Sequence, residues 1–305
     1  MMSSDPKPDR HPGGSADVRM APWLRVVSSL PLSVLYALTG AAMFLILRVL
    51  RLRLDVVRGN IRGCFPQLDS GEVNRIAAAY YRQVGQMVAE AFKAAALPAT
   101  TLTRRVTVKN LQLAQDLLAQ GRPVLLIAAH QANWEWALHT MSLQLGYPLD
   151  VGYKPIRSAW AERAMYAIRS RFGAHMVPAK ELLPDLLQRR HIVRGIAMLA
   201  DQEPTSSDHK HWLKFLGRDT AFYMGAEQMA RATRYASLFV ALRRVRRGHY
   251  ELEFMPLGAA GEKLEPGELT TRYARLVEAQ ILAAPADWTW SHRRWKLKKG
   301  VYGAG

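Results

Sequence analysis

The stretch VLLIAAHQANWEW, residues 124–136, decides the fold. Six small or apolar residues, Val124 to Ala129, run without a charge, as a strand buried on both faces requires. They deliver His130 to the strand's C-terminal end. A short polar turn follows, and Asn133, Trp134 and Glu135 open a helix. In an open α/β sheet that edge is where ligands bind.

Outward from this stretch, helix and strand signals alternate. Upstream, Val106 and Val108 predict an edge strand, and a short helix at Leu111–Ala119 ends at Gly121. Downstream, Leu149–Tyr153 reads as a strand, Trp160–Arg171 and Leu182–Arg190 as helices, and Gly195–Ala200 as a second charge-free strand ending at Asp201. Met224–Ala232 is helical, Ala236–Arg243 and Tyr250–Pro256 are strands, and Leu269–Leu282 is the last long helix. This alternation predicts the α/β class: a mixed, mostly parallel sheet flanked by helices. Before it, Asp69 or Ser70 caps a helix reaching Ala96, with Val73, Ile76, Ala77, Tyr80, Tyr81, Val84, Met87, Val88 and Ala91 on one apolar face. Glu90 lies on or near that face and reads as a rim carboxylate.

The 305 residues are 49% hydrophobic, enough for a full core, and carry a net charge of +17. So basic a chain is expected to meet nucleic acid or a phospholipid surface. The single Cys64 excludes an intramolecular disulfide framework and a cysteine metal cluster, and fits a reducing compartment. Residues 1–22 read as a disordered tail and 300–305 as a short C-terminal one. Val26 to Leu47 is charge-free, long enough for a bilayer span, though Pro31 and Gly40 interrupt it. Residues 23–50 are therefore read as a membrane-anchor helix, spanning or monotopic, against a buried core helix. Arg48, Arg51, Arg53, Arg58 and Arg62 follow, which places the downstream domain, 51–299, in the cytoplasm.

His130 and Glu135 are five apart, about 140° on a continuous helix, so only a strand-to-helix corner brings them to one substrate. Asn133 is the expected N-cap, and the helix N-terminus favours Glu135 as an anion. In this reading Glu135 holds the imidazole in one tautomer and His130 takes a proton from a substrate hydroxyl. With no serine or cysteine in the stretch, direct attack by that hydroxyl is expected rather than an acyl-enzyme. A metal at His130, Glu135 and His139 lacks the H-E-x-x-H spacing and is not expected. The terminal WTWSHRRWKLKK, residues 288–299, interleaves tryptophan with basic residues. That pattern suits single-stranded nucleic acid or an anionic bilayer, and the apolar segment at the other end of the chain favours the bilayer.

The H-x-x-N-W-E corner resembles the H-x4-(D/E) motif of the lipid A late acyltransferases, the bacterial lauroyl/myristoyl transferase family within the lysophospholipid-acyltransferase-like superfamily. Other segments agree in order: Asn60–Pro66 with its N-L-x-x-C-F-P, Tyr153-Lys154-Pro155 with Y-(K/R)-P, Arg169 and Arg171 with R-x-R, and Asp201-Gln202-Glu203 with D-(Q/H)-D. Phe215-Leu216-Gly217 resembles F-F-G, and residues 288–296 resemble W-x-W-x-H-R-R-(W/F)-K. Asp219–Gly225, Pro204-Thr205 and Thr107–Asn110 depart from the family pattern.

The resemblance implies a glycerolipid-acyltransferase-like fold. It also implies acyl transfer from acyl carrier protein, or from acyl-CoA, to a hydroxyl of a lipid or glycolipid acceptor at the cytoplasmic face of the bacterial inner membrane. Anionic phospholipid is then the expected surface, with no nucleic-acid partner and no cofactor beyond the acyl thioester. His130 and Glu135 would be catalytic. Asn133, Lys154, Arg169, Arg171, Asp201, Gln202, Arg293 and Arg294 are the residues offered for substrate binding. Arg169 would face the thioester oxyanion or an acceptor phosphate, Asp201 would position Arg169 or the acceptor, and Arg293 and Arg294 would bind a lipid phosphate or the carrier. The acceptor stays open between lipid A, ornithine lipids or lysophospholipids, and aryl polyene or xanthomonadin-type products. An acyl thioesterase and a membrane-tethered nucleic-acid binder are the rival readings.

Overall fold

Alternate residues of the charge-free run go to opposite layers: Leu125 and Ile127 to one, Val124 and Leu126 to the other, none more than 1% exposed. The run is a strand covered on both faces, and helices cover it. The computed structural model describes residues 21–205 and 209–299. The tails expected at 1–22 and 300–305 lie outside the described residues, except for Ala21 and Pro22, and Pro22 begins a helix.

In chain order the helices are α1 (Pro22–Ser29), α2 (Leu32–Leu45), α3 (Leu54–Cys64), α4 (Ser70–Ala94), α5 (Ala99–Arg105), α6 (Leu111–Ala119), α7 (Trp134–Gln144), α8 (Ala159–Arg169), α9 (Leu182–Gln188), α10 (Gly225–Thr233) and α11 (Glu268–Ala283). The strands are β1 (Val106–Lys109), β2 (Val124–Ala128), β3 (Leu149–Tyr153), β4 (His175–Pro178), β5 (Gly195–Leu199), β6 (Lys210–Phe215), β7 (Arg218–Tyr223), β8 (Ser237–Arg246) and β9 (His249–Gly258). Seven form one sheet in the order β1-β9-β8-β2-β5-β3-β4, while β6 and β7 make a separate hairpin. Only β8 and β9 pair antiparallel in the large sheet; every other neighbouring pair is parallel. This is the mixed, mostly parallel sheet that the sequence predicts. β2 lies between β8 and β5, so its C-terminal end opens near the middle of the sheet.

The N-terminal apolar run departs from a single straight helix. Pro31 divides it into α1 and α2, and α2 runs on through one wider π-helical turn, Ile46–Leu50, to Arg51 at φ 48°. From Leu32 to Leu50 the segment is long and apolar enough to cross a membrane by length and composition. One side of it is seated on α4, whose N-terminus is closed by a capping box between Asp69 and Glu72. Antiparallel packing sets Met43 and Thr39 against Gly85 and brings Tyr36 to Glu90, and Lys93 Nζ donates to Ser28 O and Leu30 O, both at 2.8 Å. The outer side leaves Val34, Leu38, Phe44, Val49 and Leu50 exposed. Glu90 is no rim carboxylate, because α2 covers it and it is 0% exposed. Cys64 is free and buried, and burial pushes its thiol up to about 12.

Gly85 is what lets α2 lie so close. A Cβ there would come within 2.8 Å of Met43 Cγ and 3.3 Å of the Thr39 carbonyl oxygen. Gly85→Leu is therefore expected to lower the urea stability by about 1–3 kcal/mol through overpacking. It should also raise hydrogen exchange in α2, and unchanged exchange there would contradict this seating.

Candidate active site

The register of the sheet assembles the site. In the parallel β2–β5 pair, Ala128 faces Leu199. Two residues beyond each strand end stand His130 and Asp201, side by side. His130 Nδ1 is 2.7 Å from Asp201 Oδ1, and the His130 backbone N–H donates to Asp201 Oδ2 at 3.0 Å. Trp288 Nε1 donates to the same Oδ2 at 2.8 Å. Facing a carboxylate, Nδ1 carries the proton, which leaves Nε2 as the acceptor; the Gln202 amide nitrogen stands 3.2 Å from Nε2. Burial works to raise the Asp201 carboxyl. The His130 imidazole and the hydrogen bonds from His130 and Trp288 outweigh burial and hold it below the usual aspartate range.

The turn after His130 is held from the C-terminal side of the chain. Ala132, at φ 53°, donates its backbone N–H to Asp287 O at 2.9 Å, and Thr289 Oγ1 donates to His130 O at 3.0 Å. Asn133 then caps α7, its Oδ1 accepting from Trp136 N at 3.0 Å. Glu135 follows in the first turn but does not bond to His130, which corrects the expected pairing. Its two oxygens take Arg169 Nε at 2.9 Å and Nη2 at 2.5 Å, a two-pronged fork. The partner of His130 is Asp201 instead, because register, not sequence proximity, chooses it.

His130, Glu135 and Arg169 stand at the mouth of a cavity of about 420 Å³. Tyr153, Lys154, Pro155 and Gln202 border the polar mouth. The walls are apolar: Leu126, Ala128, Ala137, Leu138, Met141, Val151, Met176 and Ala197. It runs between α7 and the sheet. Beneath the Leu126 wall, Gly195 has room for no side chain: a Cβ there would lie 2.8 Å from Leu145 Cδ2 and 2.9 Å from Leu126 Cδ1. Trp134 stands with its ring centroid 5.0 Å from that of His130 and separates this cavity from a smaller one of about 180 Å³ beside Tyr80 and Met87.

Four sequence expectations are displaced. Asn133 is 0% exposed, its amide is bonded to Glu90 and Trp136, and it does not line the cavity. Arg171 lies away from the cavity, its Nη1 donating to Ala94 O at the end of α4 and to Leu97 O just beyond it. Arg294 is 1% exposed, stacked 4.4 Å over Phe222, and burial pulls it down to about 10; it is not placed to meet a lipid phosphate, while Arg293 is exposed. The terminal tryptophans are core rather than interface: Trp288 is 2% and Trp290 0% exposed, and Trp290 Nε1 and Trp295 Nε1 donate to Pro285 O and Thr220 Oγ1 at 2.6 and 2.8 Å. That also withdraws Trp288 and Trp290 from stacking on nucleic acid. His139 does not line the cavity: it is 0% exposed, edge-on to Phe172, and burial pushes it down to about 4.

The sequence pattern of the family described as "Bacterial lipid A biosynthesis acyltransferase" matches residues 10–297. The chain is 26% identical over 280 residues to the lipid A biosynthesis lauroyltransferase of Escherichia coli (strain K12), covering 90% of this chain and 89% of that one. It is 23% identical over 250 residues to the lipid A biosynthesis palmitoleoyltransferase of the same organism, covering 82% and 80%. A lipid A biosynthesis acyltransferase of Shigella flexneri is similar to the same extent.

Because the folded pKa of Asp201 is depressed, the unfolded chain binds that proton more readily. The contribution is present in full above about pH 4 and lost as pH falls through the lower folded value. In urea titrations from neutral to strongly acid pH, the stability gap between wild type and Asp201→Asn is expected to narrow below about pH 4. A gap constant across that range would mean that Asp201 is not ionised in the folded protein.

Proposed function

The chain belongs to the bacterial lipid A biosynthesis acyltransferase family, and on that premise we propose that it moves a fatty acyl group from an acyl carrier protein thioester to a hydroxyl of a lipid or glycolipid acceptor at the cytoplasmic face of the inner membrane. The observation that carries this reading is a largely apolar cavity lined at one side by His130 and Arg169. Such a cavity suits a fatty acyl chain, with the thioester carbonyl left at the polar mouth.

The acceptor hydroxyl approaches His130 Nε2 in place of the Gln202 amide. Nε2 takes its proton as the oxygen attacks the thioester carbon, and Asp201, bonded to Nδ1–H, stabilises the imidazolium that forms. Negative charge grows on the carbonyl oxygen, where Arg169, held by Glu135, supplies a fixed positive charge. Collapse of the intermediate breaks the C–S bond, and the imidazolium returns its proton to the leaving thiolate. Glu135 thus acts through Arg169 rather than through His130. The exposed apolar side of α2, with the exposed Arg48, Arg51 and Arg53 at its end, supports a seat on anionic phospholipid.

His130→Ala is expected to reduce acyl transfer from lauroyl-acyl carrier protein to a lipid extract by about 10²–10⁴-fold, read as labelled lipid product. Transfer at the wild-type rate would refute the mechanism. Free fatty acid released at a comparable rate without any acceptor would favour a hydrolase. The cavity walls make a separate prediction: Ala137→Phe, filling the space beside Ala137, should shift preference towards shorter acyl thioesters, with mass spectrometry of the product lipid as the check.

A further inference from the structure

Glu90 touches neither the cavity nor His130, and packing alone asks for an apolar residue there, since its neighbours on the buried face of α4 include Val73, Ala77, Tyr80 and Ala89. A buried carboxylate is costly unless donors surround it. Here they do. Tyr36 Oη donates to Oε1 at 2.5 Å, and Asn133 Nδ2 and Tyr250 Oη both donate to Oε2 at 2.6 Å. The backbone carbonyl of the same residue accepts Trp136 Nε1 at 3.0 Å.

These bonds join three parts of the fold: the apolar helix α2, strand β9, and the N-terminus of α7. The link to α7 is directional. Asn133 gives its N–H to Glu90 and takes the Trp136 N–H on its carbonyl. Turning the amide over would set acceptor against acceptor and donor against donor. Glu90 therefore fixes the one orientation in which Asn133 caps the helix that carries Glu135.

We propose that Glu90 is a positioning residue. Through Asn133 it sets the first turn of α7, and hence the Glu135–Arg169 fork at the cavity mouth, and Tyr36 makes that setting depend on α2 being seated on α4. This rests on the acyl-transfer reading above, but its first readout does not.

The test uses the full chain in detergent micelles and three variants: Glu90→Gln, Tyr36→Phe and Tyr250→Phe. Glutamine presents an NH2 in place of one acceptor oxygen where all three neighbours donate; each phenylalanine removes one donor and leaves the carboxylate. Hydrogen exchange by mass spectrometry should rise at residues 130–140 in Glu90→Gln, and less in the phenylalanine variants, while β5 stays protected. In parallel, thiol release from lauroyl-acyl carrier protein in the presence of Escherichia coli polar lipid should show kcat down about tenfold to a hundredfold in Glu90→Gln, with KM nearly unchanged. Exchange that rises equally across β5, or kcat and exchange both at wild-type values, would overturn the proposal. If Glu90→Gln does not fold, Tyr36→Phe decides the same question. If wild type shows no transfer at all, the acyl-transfer reading fails, and the exchange pattern still judges Glu90.

Discussion

A carboxylate that is 3% exposed must be surrounded by donors, and the one at Asp201 finds them in two segments far apart in sequence. Two bonds come from His130, one strand over, and the third from Trp288, near the C-terminus. Much else follows from meeting that demand. Trp288 reaches Asp201 because the stretch from Pro285 onward folds back over the sheet edge, where Asn60 Nδ2 holds the carbonyls of Trp290 and His292 at 2.8 and 2.9 Å and Tyr80 Oη donates to Ser291 Oγ at 2.7 Å. Polar networks of this kind stabilise a single arrangement only when every member is satisfied.

Among the buried carboxylates near the α7 corner, Asp201, Glu135 and Glu90 are each met differently. Asp201 faces an imidazole, Glu135 faces a guanidinium, and Glu90 faces only neutral donors at hydrogen-bond distance. Their neighbours separate their functions. The first fixes the tautomer of an imidazole, the second holds a guanidinium at the cavity, and the third meets no charged group at hydrogen-bond distance. Burial pushes Glu90 upward while its hydrogen bonds pull it down, with burial the stronger, whereas at Asp201 the balance falls the other way.

Much of this was legible in the chain because burial on both faces leaves a signature: the charge-free runs at 124–129 and 195–200 are both strands, and the corner after the first follows from the spacing of His130 and Glu135. The partner of His130 was not legible in the same way. Glu135 is near in sequence and Asp201 is 71 residues away, and only the β2–β5 register turns that distance into contact. The signal was present, since both His130 and Asp201 follow charge-free runs by the same offset. The terminal tryptophans misled for a different reason. Tryptophan beside lysine and arginine has the composition of a membrane interface, and composition does not record that the indole N–H groups point at Asp201, Pro285 and Thr220. The short β4 and the β6–β7 hairpin carry too little alternation to stand out, and Glu90 was misread because the helix that covers it comes from a segment expected to lie in lipid.

His130 and Gln202 line one cavity, and the Gln202 amide nitrogen stands 3.2 Å from His130 Nε2. In the acyl-transfer reading proposed above, water and an acceptor hydroxyl would both have to take the place of that amide to reach the free nitrogen of the imidazole. Hydrolysis and transfer would then compete at one atom, and the ratio of the two products would measure how often the right guest stands there.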